Sequence, residues 1–220
     1  MARGVAAQRA GQSKKVDRRV TRSRAAIIAA FERLLVEEDV DKITVSALAR
    51  EANIDRKTFY VHFGTIDGLL DAIAEGFVRE VVDQVEVALG DQPLTDKPDV
   101  FSRAFFSAIN RAIFNNIDVS RRVFESMPEQ SLLPRIVRPL GRMLLERGLV
   151  PSDMVDELFD YYLSFILSGI IAVCRTWLMS DGSLPLERVF EMADSLILNG
   201  LESLKSRKGK GSPAGMGIPT

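Results

Sequence analysis

The eight residues Arg56–Phe63, RKTFYVHF, divide by type and spacing. Phe59 and Phe63 lie four apart and would share one face of a helix. Arg56, Lys57, Thr58, Tyr60, Val61 and His62 occupy the remaining sides. Arg or Lys can donate to guanine O6 and N7, and Val61 can pack on a thymine methyl. Hydroxyl and imidazole groups can donate to phosphate oxygens, contacts that fix register rather than sequence. The chemistry on offer is therefore recognition of a polyanion, not bond-making. A charged, solvated helix face is also the ordinary state of such a segment, so the surrounding elements must decide.

A two-turn helix is not stable alone in water. Residues 44–63, TVSALAREANIDRKTFYVHF, supply a neighbour for it. Val45, Leu48, Ala49 and Ala52 recur at helical spacing and predict a short amphipathic helix. Thr44 stands where a hydroxyl caps the first free N–H groups. Asn53 follows the stripe and suits the left-handed residue that ends a helix. Asp55 is placed to cap the second helix. Two short helices with a tight turn, the second turning a cationic face outward, form the arrangement that enters a major groove.

The core TFYVHF, preceded by ITVSALAREANI and followed by GTIDGLL, resembles the DNA-binding domain of the tetracycline-repressor (TetR) family of bacterial regulators. The resemblance runs from about Val16 to Leu70 and joins an apolar helix, the two short helices and the aromatic core in order. It implies that Thr44, Thr58, Tyr60 and His62 contact phosphates, while Arg56, Lys57, Tyr60 and Val61 reach base edges. It further implies a homodimer on a palindromic double-stranded DNA operator. Two positions depart from the family pattern. Asn53 stands where Gly is usual, and Ile66 where Lys often opens the next helix.

Charge is distributed in keeping with that reading. The chain of 220 residues has a formal net charge of −1, which by itself points to no nucleic acid. Yet Met1–Phe63 holds 13 Lys/Arg against 8 Asp/Glu, a net of +5. Gly64–Leu204 holds 12 against 22, a net of −10. A basic head on an acidic body suggests a polyanion bound at one end. Met1–Lys15 reads as a disordered basic arm, residues 16–63 as the head, 64–206 as the body and 207–220 as a disordered Gly/Pro/Lys-rich tail.

The fold class read from periodicity is all-α, with about nine helices. Val20–Glu38 carries a wide apolar stripe that would roof the two short helices. Thr65–Leu89 spans roughly 37 Å at 1.5 Å per residue and would join head to body without a flexible linker. A Phe-rich helix covers Asp99–Ile117, a short one Asp118–Met127, and another Pro128–Gly148, where Pro139 should introduce a kink. Ser152–Ser180 begins with Ser152 as a cap and is apolar nearly all round, so it should be buried on more than one side. Leu186–Leu204 places Leu186, Val189, Phe190, Ala193, Leu196, Ile197, Gly200, Leu201 and Leu204 on one stripe. By resemblance these last two helices form a four-helix bundle between subunits. The interface expected from the stripe comprises Leu186, Val189, Phe190, Ala193, Ile197, Gly200, Leu201 and Leu204.

Resemblance also implies a pocket for a small apolar effector between the Phe-rich helix and Ser152–Ser180. Phe101, Phe105, Phe106, Phe124, Met127, Met143, Tyr162, Phe165 and Trp177 are its candidate lining, and plain core packing is the alternative for each. His62 is the only histidine, so a triad or a His-rich metal site has no basis. Neither a catalytic nor a metal site is expected, nor a cofactor. Asp156, Glu157 and Asp160 read as a solvated helix start. Cys174, the one cysteine, excludes an internal disulfide and reads as a small buried side chain. The start lacks the apolar core of a signal peptide. The uncharged run Tyr161–Cys174 is short of the roughly 20 residues that span a bilayer. A cytoplasmic protein without a membrane partner is the expectation. The function implied is a ligand-responsive DNA-binding regulator, in the form of a repressor. The alternatives are a DNA-binding regulator controlled by a partner protein, and a helical enzyme using carboxylates.

Overall fold

A computed structural model describes residues 2–90, 98–150 and 155–208, with side chains for 18–90, 100–150 and 155–199. Among the described residues there are nine α-helices, one 3₁₀ turn and no strand. They are α1 (Ala2–Glu37), the 3₁₀ turn Val40–Lys42, α2 (Val45–Glu51), α3 (Arg56–Phe63), α4 (Ile66–Leu89), α5 (Pro98–Asn115), α6 (Ile117–Ser126), α7 (Glu129–Glu146), α8 (Phe159–Leu178) and α9 (Leu186–Lys208). The all-α class expected from periodicity is the class observed.

Helix α1 begins far ahead of the expected Val20. The segment 2–19 has no proline and is rich in Ala, Gln, Lys and Arg, residues that lose little side-chain freedom in a helix. The backbone of the expected basic arm is thus continuous with α1, and its side chains lie outside the described residues. Helix α8 starts later than expected, at Phe159. Asp156 sits before it, where its carboxylate accepts from the Leu158 N–H at 2.9 Å. Ser152 and Asp153 lie outside the described residues. Helix α7 continues through Pro134 and Pro139 to Glu146. Gly148, at φ +65, closes it with the Leu149 N–H donating to the Leu144 carbonyl at 2.8 Å.

The chain forms two compact units. The first comprises residues 1–78 and 116–136, the second 79–115 and 137–220. The core of the first holds Ile27, Phe31, Leu35, Leu48, Phe59, Phe63 and Leu69, with Met127 from beyond α6. Val119 and Val123 of α6 pack on this core. The first unit therefore gathers a segment that the sequence reading assigned to the body.

Polar contacts fasten that segment. Arg122 on α6 donates from Nε to the Leu35 carbonyl at 3.0 Å. It also pairs with Asp39 at 3.2 Å and Glu125 at 3.0 Å. Leu35 lies in the last turn of α1, whose carbonyls lack helical partners, and α1 has no basic residue there. Arg122 supplies both the donor and the charge that the negative end of the helix dipole favours. Arg135, at the start of α7, pairs with Asp67 and Asp71 on α4.

In the second unit α9 packs on α5 and α8. Phe106 and Phe190 stand 5.1 Å apart between ring centroids, and Ser102 donates to Asp194. Arg147 reaches back from the end of α7 to Asp83 and Glu86 on α4, both at 2.5 Å. Helix α8 buries Leu163, Leu167, Ile170, Ile171, Cys174 and Leu178. Burial pushes the Cys174 thiol up to about 12, as suits an inert packed side chain. Its opposite face stays open: Tyr161, Phe165, Gly169, Ala172, Thr176 and Met179, spaced by four, four, three, four and three, are all exposed. Among the described residues α8 alone has the length and apolarity to cross a bilayer.

The joint between α3 and α4 leaves no room at one position. The Gly68 N–H donates to the Thr65 hydroxyl at 3.0 Å, which caps α4. A Cβ at Gly68 would collide with the Phe63 carbonyl oxygen, a backbone atom that cannot rotate away. Gly68→Ala is expected to destabilise the protein by about 1–3 kcal/mol through overpacking, whereas Gly76→Ala, where a Cβ meets nothing, should be neutral or stabilising. Urea unfolding of the two variants checks this.

Candidate nucleic-acid interface

Helices α2 and α3 present the site. Thr44 caps α2: its hydroxyl accepts from the Ala47 N–H at 3.1 Å. Asn53 adopts φ 51, and the turn closes with Ile54 N–H to the Ala49 carbonyl at 2.9 Å and Asn53 N–H to the Arg50 carbonyl at 3.2 Å. This is the paired C-terminal closure that a left-handed residue permits, so Asn serves where the family pattern has Gly. Asp55 precedes α3, but its side chain makes no capping bond. Its backbone carbonyl instead accepts from the Thr58 N–H at 2.9 Å.

Phe59 and Phe63 are buried as the spacing required, their centroids 5.7 Å apart. With that side anchored, the opposite side is open. Tyr60 is 54% exposed and Val61 75%, and Arg56 and Lys57 are exposed beside them. Thr58 and His62 are half-buried at the flanks. Arg56 donates from Nη1 to the Ser46 hydroxyl at 3.4 Å, which leans the guanidinium toward α2. Ile66, in place of the family's Lys, packs against the core of the unit and so offers no phosphate contact.

His62 was expected to face phosphate, and its inner edge has a partner that spacing did not disclose. Its Nε2 lies 2.6 Å from the hydroxyl of Ser23 on α1. Burial, and then the charge of Arg24, hold the imidazole below its ordinary range. The Arg24 guanidinium sits over the Phe63 ring at 4.8 Å. No periodic signal could pair residues 39 positions apart; the proximity of α1 and α3 creates the contact.

The sequence profile of bacterial regulatory proteins of the tetR family matches residues 27–73. That span holds the buried face of α1, both short helices and the opening of α4. Residues 27–73 thus carry the tetR-family segment. An uncharacterised helix-turn-helix-type transcriptional regulator of Bacillus subtilis, YxbF, is 37% identical to this chain over 166 residues. The match covers 73% of this chain and 41% of that protein, so the chain spans less than half of that relative's length. Solved TetR-like folds cover most of the chain. The fatty acid degradation regulator FadR of Bacillus halodurans is 18% identical, with 81% of this chain and 96% of that one covered and a TM-score of 0.56. FadR of Thermus thermophilus, solved with lauroyl-CoA, is 15% identical, with coverages of 90% and 100% and a TM-score of 0.54. RolR, solved with resorcinol, is 22% identical, with coverages of 83% and 88% and a TM-score of 0.53. At these identities the likeness is one of fold.

The other expected sites are only partly assembled. Phe101, Phe105, Phe106, Met143, Tyr162 and Trp177 fall in the second unit. Phe101 stacks on Phe105 at 6.1 Å, and Trp177 packs on Phe114 at 5.6 Å while its indole N–H donates to the Leu184 carbonyl at 2.7 Å. Phe124 and Met127 belong to the first unit, and Met127 packs in its core. Phe165 is 82% exposed and lines no interior. On α9, Leu186, Phe190 and Ala193 are buried inside the chain, so these three members of the expected seam serve internal packing. Val189 and Ile197 are half-buried, and the side chains of Gly200, Leu201 and Leu204 lie outside the described residues. Among the described side chains of α9, the exposed large apolar ones are Met192 and Leu196.

Phe59→Ala should cost about 3–5 kcal/mol of stability, the range for truncating a buried aromatic ring. Val61→Ala, on the exposed side of the same helix, should change stability by less than about 0.5 kcal/mol. Denaturant midpoints of the two variants give the comparison.

Proposed function

We propose that this chain is a TetR-family regulator, that it binds a palindromic double-stranded DNA operator as a homodimer, that it represses, and that a small apolar effector releases it. The observation that carries the reading is the division of α3. Its aromatic pair is sunk in the core, and Arg56, Lys57, Tyr60 and Val61 are left facing out on a basic unit. Arg56 and Lys57 suit guanine edges and Val61 a thymine methyl. Thr44, Thr58, Tyr60 and His62 hold phosphates and set the register. Two-fold symmetry of the protein requires matching symmetry of the operator. Nothing in this role calls for catalysis or a cofactor, and a DNA-binding regulator works in the cytoplasm.

The homodimer is supported by the open face of α8. A helix apolar nearly all round must be covered on both sides, and this chain covers one. Tyr161 and Phe165 stand out from the other, with the small residues Gly169 and Ala172 between them and Met179, and Met192 and Leu196 of α9 are likewise exposed. A second copy offers an identical apolar face. Effector binding in the second unit is supported by its aromatic residues, Phe101, Phe105, Phe106, Tyr162 and Trp177. Proteins of this fold have been solved with ligands as different as resorcinol and lauroyl-CoA. By linkage an effector that releases DNA must bind the DNA-bound form more weakly, by the same factor.

Selection of bound duplexes from a random pool by the purified protein tests the reading and should return a palindrome. On that duplex Lys57→Ala and Tyr60→Ala should each weaken binding by about 1–3 kcal/mol. Recovery of no preferred sequence would exclude an operator. Phe165→Glu combined with Leu196→Glu should yield monomers in sedimentation, because two unpaired charges would be buried in the seam. A persistent dimer would place the seam elsewhere.

A further inference from the structure

Ser23 has one hydroxyl proton and three close polar neighbours. Its oxygen lies 3.0 Å from the Arg19 carbonyl and 3.1 Å from the Val20 carbonyl, both in its own helix. The third neighbour is His62 Nε2 at 2.6 Å. A hydroxyl donates once and accepts twice. With its proton directed back at the α1 carbonyls, as hydroxyls in helices commonly arrange, it can only accept from His62. The imidazole must then carry its proton on Nε2. In the neutral ring the other nitrogen, Nδ1, has a lone pair and no proton. A lone pair cannot donate to a phosphate oxygen.

We propose that Ser23 reserves the Nε2–H of His62, so that His62 bonds a DNA phosphate through Nδ1 only as the imidazolium and each subunit takes up one proton on binding DNA. This rests on the DNA-binding reading above and adds a condition to it. Ser23 is a positioning residue: it touches no DNA and acts through His62. The arrangement tolerates both charge states, since Nε2–H donates to Ser23 in either.

The electrostatics agree in sign. In the free protein burial and Arg24 on α1 both disfavour the charged ring. Helix α2 also packs on α3. Its ionisable groups are Arg50, which is exposed, and Glu51, which is held by Arg33 at 2.6 Å; neither acts on the ring. An arriving phosphate supplies the missing negative charge and raises the value. Between the bound and the free value, affinity rises as pH falls, by about tenfold per pH unit for each proton taken up.

His62 is the only histidine, so its imidazole nitrogens are read without assignment in full-length protein labelled with nitrogen-15. The free protein at neutral pH should show a protonated Nε2, protected from exchange, and an unprotonated Nδ1. Binding to the selected duplex, and to a random-sequence duplex, is then measured between about pH 5.5 and 8. Wild type should gain affinity on acidification, by about tenfold per unit per subunit in the responsive range. His62→Gln should lose that gain. Ser23→Ala should lose most of it, because the neutral ring is then free to carry its proton on Nδ1 and donate it to phosphate, and Ser23→Thr should restore it. A protonated Nδ1 in the free wild type would overturn the proposal. So would a wild-type pH response no steeper than that of His62→Gln, with duplex binding intact. Failure to bind either duplex at any pH would instead overturn the DNA-binding reading itself, and this inference with it.

Discussion

The burial of Phe59 and Phe63 is the constraint on which the rest of the first unit depends. Helix α3 has eight residues, too few to be stable by its own hydrogen bonds. Its order comes from two rings sunk among Ile27, Phe31, Leu48 and Leu69. Because four residues separate the rings, their anchoring sets the rotation of the helix about its axis. That rotation leaves Tyr60 and Val61 outward and His62 at the edge. Every contact proposed between α3 and DNA is thus a consequence of where two apolar side chains go.

The same anchoring recruits support from far along the chain. Phe63 takes the Arg24 guanidinium over its ring, and its carbonyl crowds the glycine that opens α4. Met127, Val119 and Val123 fill the core from beneath α6. Arg122 closes the end of α1 with a charged donor. A side chain with this many roles joins packing to electrostatics: loss of Arg122 would take a donor from the end of α1 and a partner from Glu125, while Asp39 would keep Lys42 at 2.8 Å.

The second unit follows a different logic. Its helices α5, α8 and α9 share a core, and that core takes Leu186, Phe190 and Ala193 from the stripe of α9 expected at a subunit seam. Helix α8 keeps an uncovered apolar face, and Met192 and Leu196 of α9 stay exposed as well.

The sequence alone determined the local devices. Thr44 as a cap, Asn53 as the left-handed turn and the inward Phe59 and Phe63 were all legible, because each follows from spacing within one or two turns of chain. The family resemblance was legible for the same reason, since its motif lies in one continuous stretch. Asp55 shows the limit even there: the residue type suited a cap, yet the backbone carbonyl took the bonds. What only the tertiary structure decided was which apolar surface meets which. Periodicity marks Leu186, Phe190 and Ala193 as buried but cannot say whether the cover comes from the same chain or another. It marks Met127 as apolar without saying that it joins a core built mostly from residues before position 71. The bond between Ser23 and His62 is of the same kind. Neither residue's neighbours in sequence foretell it, because it exists only where α1 crosses the end of α3.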